Sequence, residues 1–396
     1  KVAYPTLLRG SFKMRLSHLF ITSVCIFFLG LETAAGDTAE ELWDNYLEIG
    51  ARGRNLPDFS YAGFFNKGGT HNLDNLNTHN VTTYGAIPND TESDSLAIQR
   101  AIDAASLDGG GIIYFPKGRY VISGENYNGV LRITSSNIVL RGEASNGEFA
   151  SVLYLENASK RSEFGLLGSN PLDLRSVATV SIEGEESSQV LARFDSRVWE
   201  RGDRVISVDS TEFLLPQQTI LVRLTESNVG SDDETSNLVK ALTAPFELTG
   251  EEVKTINQYG NQVEYVNKIR RVIDATTIEL YQPLRFNHNS EFSPHILAFN
   301  GLNNIGIENL KFESAWPGQY IHHAPFPPNT TGGEVVRSAR EQDYGWVALW
   351  GTWIKDSWIE NVTFENYTQN IILSNSAYIT LNDIVMDGSG GHAGIS

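Results

Sequence analysis

The spacing of apolar residues along this chain changes several times, and each change marks an element. Val81 to Ala86 alternates toward a strand, and Asn89, Asp90, Thr91 and Ser93 follow with turn and N-cap chemistry. Leu96, Ile98, Ala101, Ile102 and Ala105 then recur at helical spacing for about three turns, until Gly109, Gly110 and Gly111 stop the helix. Ile112 to Phe115 and Tyr120 to Ile122 flank a Pro116-Lys117-Gly118 corner, which predicts two short strands joined tightly.

Farther on one pattern returns three times. Ile307 to Phe312, Ile359 to Phe364 and Leu381 to Met386 follow the pattern apolar, polar, Asn or Asp, apolar, polar, apolar, with Val385 at the fifth place of the third copy, the mark of stacked repeats. The last two copies start 22 residues apart, one coil of a solenoid, and the first two start 52 apart, which reads as two coils with an insertion. Asn309, Asn361 and Asp383 then stack at turns, where these residue types tolerate a left-handed backbone. From Glu163 to Pro294 the rhythm is lost. Segments such as 201–209, 219–225 and 268–284 read instead as strands of hairpins, an inserted antiparallel β-module that could bind or cover a site.

Several motifs in Asn80–Ser123 resemble the pectate-lyase superfamily, in its rhamnogalacturonase/epimerase-like branch. They are Tyr84-Gly85-Ala86, Asn89-Asp90, Ala97-Ile98-Gln99 and Phe115-Pro116-Lys117-Gly118-Arg119-Tyr120. The acidic turn departs from the pattern, with Asn89-Asp90 and Ser93-Asp94 where Asp-Gly and Asp-Asp pairs are usual. The resemblance implies an all-β fold, a right-handed parallel β-helix whose open N-terminal end is covered by the helix. On this reading residues 1–35 are upstream residues and a signal peptide, 36–162 the cap and first coils, 163–294 the antiparallel module, and 295–396 further coils of a solenoid that continues past Ser396.

The only long apolar run, Leu16 to Leu31, follows Met14-Arg15 and ends in the small residues Thr33 to Gly36, as a secretory signal does. Secretion is therefore expected, with Met14 as the start, no stable membrane span after cleavage, and a monomeric mature protein. Six Asn-x-Ser/Thr sequons, at Asn80, Asn89, Asn157, Asn329, Asn361 and Asn366, suit a glycoprotein. Cys25 lies inside the signal, so neither a disulfide framework nor a thiolate metal site is available. A net charge of −18 argues against nucleic acid as a partner. It also means that an acidic polysaccharide needs a local basic patch or a bridging cation.

Two stretches carry candidate chemistry. The 22-residue register pairs Glu365 with Asp387, Asn361 with Asp383 and Asn370 with His392, and the glycine-rich run after Asp387 would let a glycan approach the backbone. The second is aromatic. Trp316, Tyr320, His322 and His323 sit in a Pro/Gly-rich insertion where exposure is expected, while Trp350 and Trp353 are sugar-stacking faces or core, with Lys355 and Asp356 as polar partners. Asp356, Glu365, Asp383, Asp387, His392 and Lys355 are thus the catalytic candidates. They suit β-elimination from a uronate, with Ca²⁺ or a cationic side chain holding the enolate charge, or inverting hydrolysis between two carboxylates. Both readings make the chain a secreted enzyme that cleaves a pectin-like or other uronate-containing polysaccharide. The opposing class is a non-catalytic glycan-binding or extracellular structural β-helix protein.

Overall fold

A computed structural model describes residues 75–123, 131–145, 148–157, 178–226, 236–243, 262–316 and 346–389, with 63, 73, 391 and 393–395. In chain order, β1 (Asn77–Asn80) precedes the helix α1 (Ser95–Leu107), and β2 (Gly111–Phe115), β3 (Gly118–Ile122), β4 (Leu131–Ile133) and β5 (Ile138–Gly142) follow. A small antiparallel pair, β6 (Ala144–Ser145) and β7 (Glu148–Phe149), leads to β8 (Ser151–Leu155) and β9 (Ala178–Glu183). Six strands then differ in character: β10 (Val190–Arg193), β11 (Val205–Ser207), β12 (Thr219–Thr225), β13 (Gln262–Asp274), β14 (Thr277–Leu280) and β15 (His295–Ala298). The last group is β16 (Leu302–Asn303), β17 (Gly306–Ser314), β18 (Val347–Thr352), β19 (Ile354–Glu365), β20 (Gln369–Ser374), β21 (Ala377–Asp387) and β22 (Ala393–Ile395).

Outside β6, β7 and β10–β15 the pairing is parallel, coil upon coil, in three sheets. The first runs β1, β2, β5, β17, β19, β21. The second joins β3 and β8 to the C-terminal halves of β17, β19 and β21. The third runs β4, β9, β18, β20, β22. Because the register places like positions on neighbouring strands about 4.8 Å apart, each sheet sends a column of apolar side chains inward. Ile113, Leu140, Ile307 and Ile359 form one column, Tyr120, Leu153, Phe312 and Phe364 the second, and Leu131, Val180, Leu349 and Ile371 the third, all in one core. Phe312 and Phe364 stack with ring centroids 5.3 Å apart. Ile307 lies directly opposite Ile359. The 52-residue spacing is therefore one coil lengthened by an insertion, not two coils.

α1 packs Ile98, Ala101, Ile102 and Ala105 into this core, while Leu96, expected in the same stripe, stays 60% exposed. Its flanks supply polar atoms to strand edges that would otherwise be unpaired. Gln99 accepts from the Arg132 backbone N–H at 2.8 Å and donates to the Arg132 carbonyl at 3.0 Å, so its amide stands in for one more residue beside β4. Asp94 accepts from the N–H of Val121 on β3 at 2.9 Å and of Ile87 at 2.8 Å. Asn89 pairs Arg119 of β3 through both its backbone N–H and its side-chain oxygen. Val81 to Tyr84, expected as a strand, is a 3₁₀ turn. The Asn80 side chain takes the N–H of Thr82 and ends β1 there.

β10–β15 form an antiparallel sheet in the order β10-β15-β12-β13-β14-β11, and a bridge between Phe194 and Val208 brings its two ends together. It has its own core, with Ile206, Ile220, Val222, Ile269, Ile278 and Ile296 fully buried. The parallel β9 falls inside the stretch 163–294 read as antiparallel, so the change of pairing comes later, between Glu183 and Val190. The sequence hid this because Val180 and Ile182 alternate as they would in a hairpin, and only their partners differ.

The chain leaves the parallel stack at Gly184 and returns at Gly301, both against the same turn of the next coil. Gly184 N–H donates to the Thr352 carbonyl at 3.0 Å and Leu302 N–H to that of Trp353 at 2.9 Å. A Cβ on either glycine would sit 2.2 or 2.0 Å from the Trp353 oxygen. The outward face of the antiparallel sheet then lies on the stack, with Leu221, Val266 and Leu297 packed on Trp353 and Tyr378. Among the described residues no helix is long and apolar enough to cross a membrane.

Candidate functional site

Asn309, Asn361 and Asp383 sit between the first and second sheets with φ of 54°, 51° and 51°. Asn361 Nδ2 donates to Asn309 Oδ1 at 2.7 Å. These single left-handed residues bend each coil where Asn and Asp pay the least for it. Asp383 continues this turn column, so its position is accounted for by the fold.

Beyond the turn, the outward positions of the second sheet bring Glu313, Glu365 and Asp387 onto adjacent strands, as the 22-residue register implied for the last two. Lys311, not foreseen, stands among them, with Nζ 3.3 Å from Glu313 and 2.5 Å from Glu365. Partial burial works to lower its pKa, but the hydrogen bond to Glu365 and the charge of Glu313 outweigh it and hold the ammonium above its ordinary value. Lys311 is therefore a fixed cation. The two glutamate oxygens it binds lie within about 6 Å of each other, short of the roughly 6.5–9.5 Å an inverting pair needs to admit water. Among the described residues no group of three His, Cys, Asp or Glu is arranged to hold a metal ion. With Lys311 between its members this acidic row does not fit Ca²⁺.

Lys355 and Asp356 lie elsewhere, at the start of β19, where the antiparallel sheet meets the parallel stack. Asp356 has φ 46° and is 3% exposed. Lys355 Nζ is 3.4 Å from Asp356 Oδ2 and donates to Thr219 Oγ1 of β12 at 3.1 Å. Burial lowers the Lys355 pKa, the Asp356 charge works against that, and neighbouring Lys268 lowers it further. Asp356 Oδ1 is buried with no hydrogen-bond partner among the described residues. Nearby Tyr378, φ 58°, accepts from Gln282 Nε2 at 2.6 Å, and burial raises its hydroxyl pKa. A desolvated lysine beside a buried carboxylate at the junction of two sheets has the environment of a proton-transfer site.

The expected aromatic faces are interior. Trp353 is covered by Leu221, Val266 and Leu297, and Trp350 is buried among Ala178, Val347 and Ile372. Trp316, expected on an exposed loop, is 4% exposed in the main core, because it follows β17 directly and its backbone N–H turns back onto Ser314 Oγ. None of the three offers a ring face to a sugar. Tyr320, His322, His323 and His392 lie outside the described residues. Gln369 faces Ala393 and Ile371 faces Ile395, so the glycine-rich turn shifts the register by two residues and Asn370 is not paired with His392 as the spacing suggested.

Lys311 and Glu313 were legible, since they occupy outward positions of the repeat that contains Asn309. Thr219 and Lys268 were not, because nothing in the sequence says that β12 and β13 lie against Lys355.

The rhamnogalacturonase A/epimerase, pectate lyase-like family matches residues 78–157, the stretch holding α1, β2, β3, β5 and β8. Over those residues the chain resembles the pectate-lyase-like superfamily. The chain is 39% identical over 99 residues to mannuronan C5-epimerase AlgE6 of Azotobacter vinelandii, covering 23% of this chain and 11% of the epimerase. It is 44% identical over 66 residues to alginate lyase 7 of the same organism, covering 16% of this chain and 8% of the lyase. Solved structures similar to it include the tailspike of Pseudomonas phage LKA1, at 11% identity and TM-score 0.41, covering 78% of this chain and 48% of that one. The A-module of mannuronan C-5 epimerase AlgE4 of Azotobacter vinelandii gives 13% identity and TM-score 0.33, covering 78% and 51%.

Proposed function

We propose that the chain is a secreted enzyme acting on a uronate-containing polysaccharide, and that Lys355 removes the proton α to a uronate carboxyl. The observation that carries this reading is the Lys355 ammonium, pushed down by burial at a junction between two sheets, beside Asp356 and within reach of Thr219. A lysine whose neutral form is made more accessible by burial can serve as a general base. The C5–H electron pair then moves toward the carboxyl, giving an enolate-like centre. Departure of the 4-linked oxygen with a proton leaves an unsaturated end, which is β-elimination. Return of a proton on the other face would invert C5 and leave the chain intact. The matches to a mannuronan epimerase and an alginate lyase support this shared first step over inverting hydrolysis, as does the close Glu313–Glu365 spacing around Lys311. On this reading the parallel stack is a right-handed β-helix, α1 closes its N-terminal end, the antiparallel module flanks the site, and the protein works as a monomer.

The test incubates the protein with mannuronate, guluronate and galacturonate polymers. It follows the ultraviolet absorbance of unsaturated ends, reducing ends, and proton exchange at C5 by NMR in D₂O. Absorbance with new ends identifies a lyase, exchange without cleavage an epimerase, and reducing ends alone a hydrolase, which would overturn the Lys355 assignment. Lys355→Ala should lower the rate about a hundredfold or more. Binding to every polymer with no reaction would establish instead a non-catalytic glycan-binding protein.

A further inference from the structure

The antiparallel sheet places a second lysine against the first, and nothing so far accounts for it. Thr219 and Lys268 face each other across the β12–β13 pair. Directly opposed residues project from the same face of a sheet. Thr219 Oγ1 receives the Lys355 ammonium at 3.1 Å, so Lys268 comes to the same seam, close enough for its charge to act on Lys355. Several other cations on the molecule have acidic partners: Arg223 has Glu264 and Glu186, Arg132 has Glu183, Arg141 has Glu308, and Lys311 has Glu313 and Glu365. Lys268 has no ion-pair partner among the described residues, where Asp356 is the carboxylate paired with Lys355. In a chain of net charge −18, acidic side chains to neutralise a lysine are plentiful. Holding the Lys268 charge near that of Lys355 costs repulsion that an anionic ligand would offset.

We propose that Lys268 is the specificity-determining residue of the Lys355 site, taking the carboxylate of an acidic sugar so that the site prefers acidic glycans to neutral ones of the same linkage. The inference rests on the reading of Lys355 as the site's centre. Lys268 comes from the antiparallel sheet and Lys355 from the parallel stack, so neither alone would make the choice. A carboxylate between them offsets the like charges, and Lys355 retains Thr219 and Asp356 as its own partners.

The test is a binding measurement, so that it does not depend on turnover. Calorimetry on the full chain compares tetramannuronate and tetragalacturonate with their carboxyl-reduced, neutral counterparts. The unsubstituted protein should bind at least one acid about tenfold or more tightly than its neutral counterpart, a preference that weakens as salt rises. Lys268→Gln should abolish that preference while leaving affinity for the neutral tetramer unchanged, and Lys268→Arg should restore most of it, which also shows that the sheet still folds. Equal preference in Lys268→Gln, or no preference in the unsubstituted protein, overturns the proposal. Full catalytic activity in Lys355→Ala together with loss of preference in Lys268→Gln would refute the base assignment and leave the specificity role standing.

Discussion

At the scale of the residue, Lys355 and Lys311 show how one side chain acquires two characters from its surroundings. Lys311 is held between Glu313 and Glu365 and stays charged. Lys355 loses water, gains only one carboxylate, and sits near Lys268, so its pKa falls below the usual 10.5. Activity should therefore rise with pH through a limb that lies below the ordinary lysine range, where the neutral amine accumulates. Lys268→Gln removes a like charge and should move that limb to higher pH, because the Lys355 ammonium becomes easier to keep. Rate profiles of the two proteins on the same polymer check both statements, and an unshifted limb in Lys268→Gln would mean the two lysines are uncoupled. Asp356, buried and left-handed, matters here as the charge that partly offsets the effect of burial on Lys355.

At the scale of the element, the N-terminal segment is held by side chains that imitate backbone. Asp94 accepts from Val121 and Ile87, and Gln99 both accepts from and donates to Arg132. Burial is the main influence on the Asp94 carboxyl and raises its pKa, partly offset by those two N–H donors. Asp94→Ala leaves two amides without acceptors and should cost about 2–4 kcal/mol, read from urea unfolding. Loss of less than about 0.5 kcal/mol would show that water replaces the carboxylate freely. The two passages of the chain over Trp353 are equally specific. Gly301→Ala would put a Cβ 2.0 Å from a backbone oxygen, which only movement of the coil can relieve. It should lower the melting temperature, whereas alanine at Gly109, where space is open and only the left-handed φ of 82° resists a side chain, should change it less.

At the scale of the whole molecule, two cores with different pairing rules share one interface, and they need not respond alike to acid. His288 is fully buried in the antiparallel sheet, stacked between Phe194 and Phe286 and paired to the Tyr265 hydroxyl at 3.1 Å. Burial pushes its pKa from 6.5 down to about 4. The fold thus keeps it neutral while the unfolded chain would take up a proton, so its contribution is intact above pH 6.5 and is lost as pH falls toward 4. That loss amounts to about 3 kcal/mol. His288→Phe should remove that part of the acid sensitivity, and unfolding curves at neutral and acid pH for both proteins would show it. Because Thr219 and Lys268 belong to this sheet, its acid melting should also abolish the preference for acidic glycans.

The sequence by itself determined what depends on neighbours along the chain. The helix with its Ala101 and Ile102 stripe, the Phe115 to Tyr120 corner, the inward apolar columns of the repeats, and the turn residues Asn309, Asn361 and Asp383 all follow from local spacing and local backbone preference. So does the pairing of Glu365 with Asp387, because one coil of fixed length sets it. Tertiary structure alone decided the rest. Whether 52 residues made one coil or two depended on an insertion whose length no local rule fixes. Trp316, Trp350 and Trp353 could have been sugar platforms until the packing around them was known, since an aromatic ring suits either place. Lys355 stood in the sequence as one charged residue among many. Its meaning came from Thr219 and Lys268, more than eighty residues away, set against it by a sheet that buries Leu221, Val266 and Leu297 on Trp353. Desolvation and charge proximity act through space, and sequence spacing carries no record of which surface will cover which side chain.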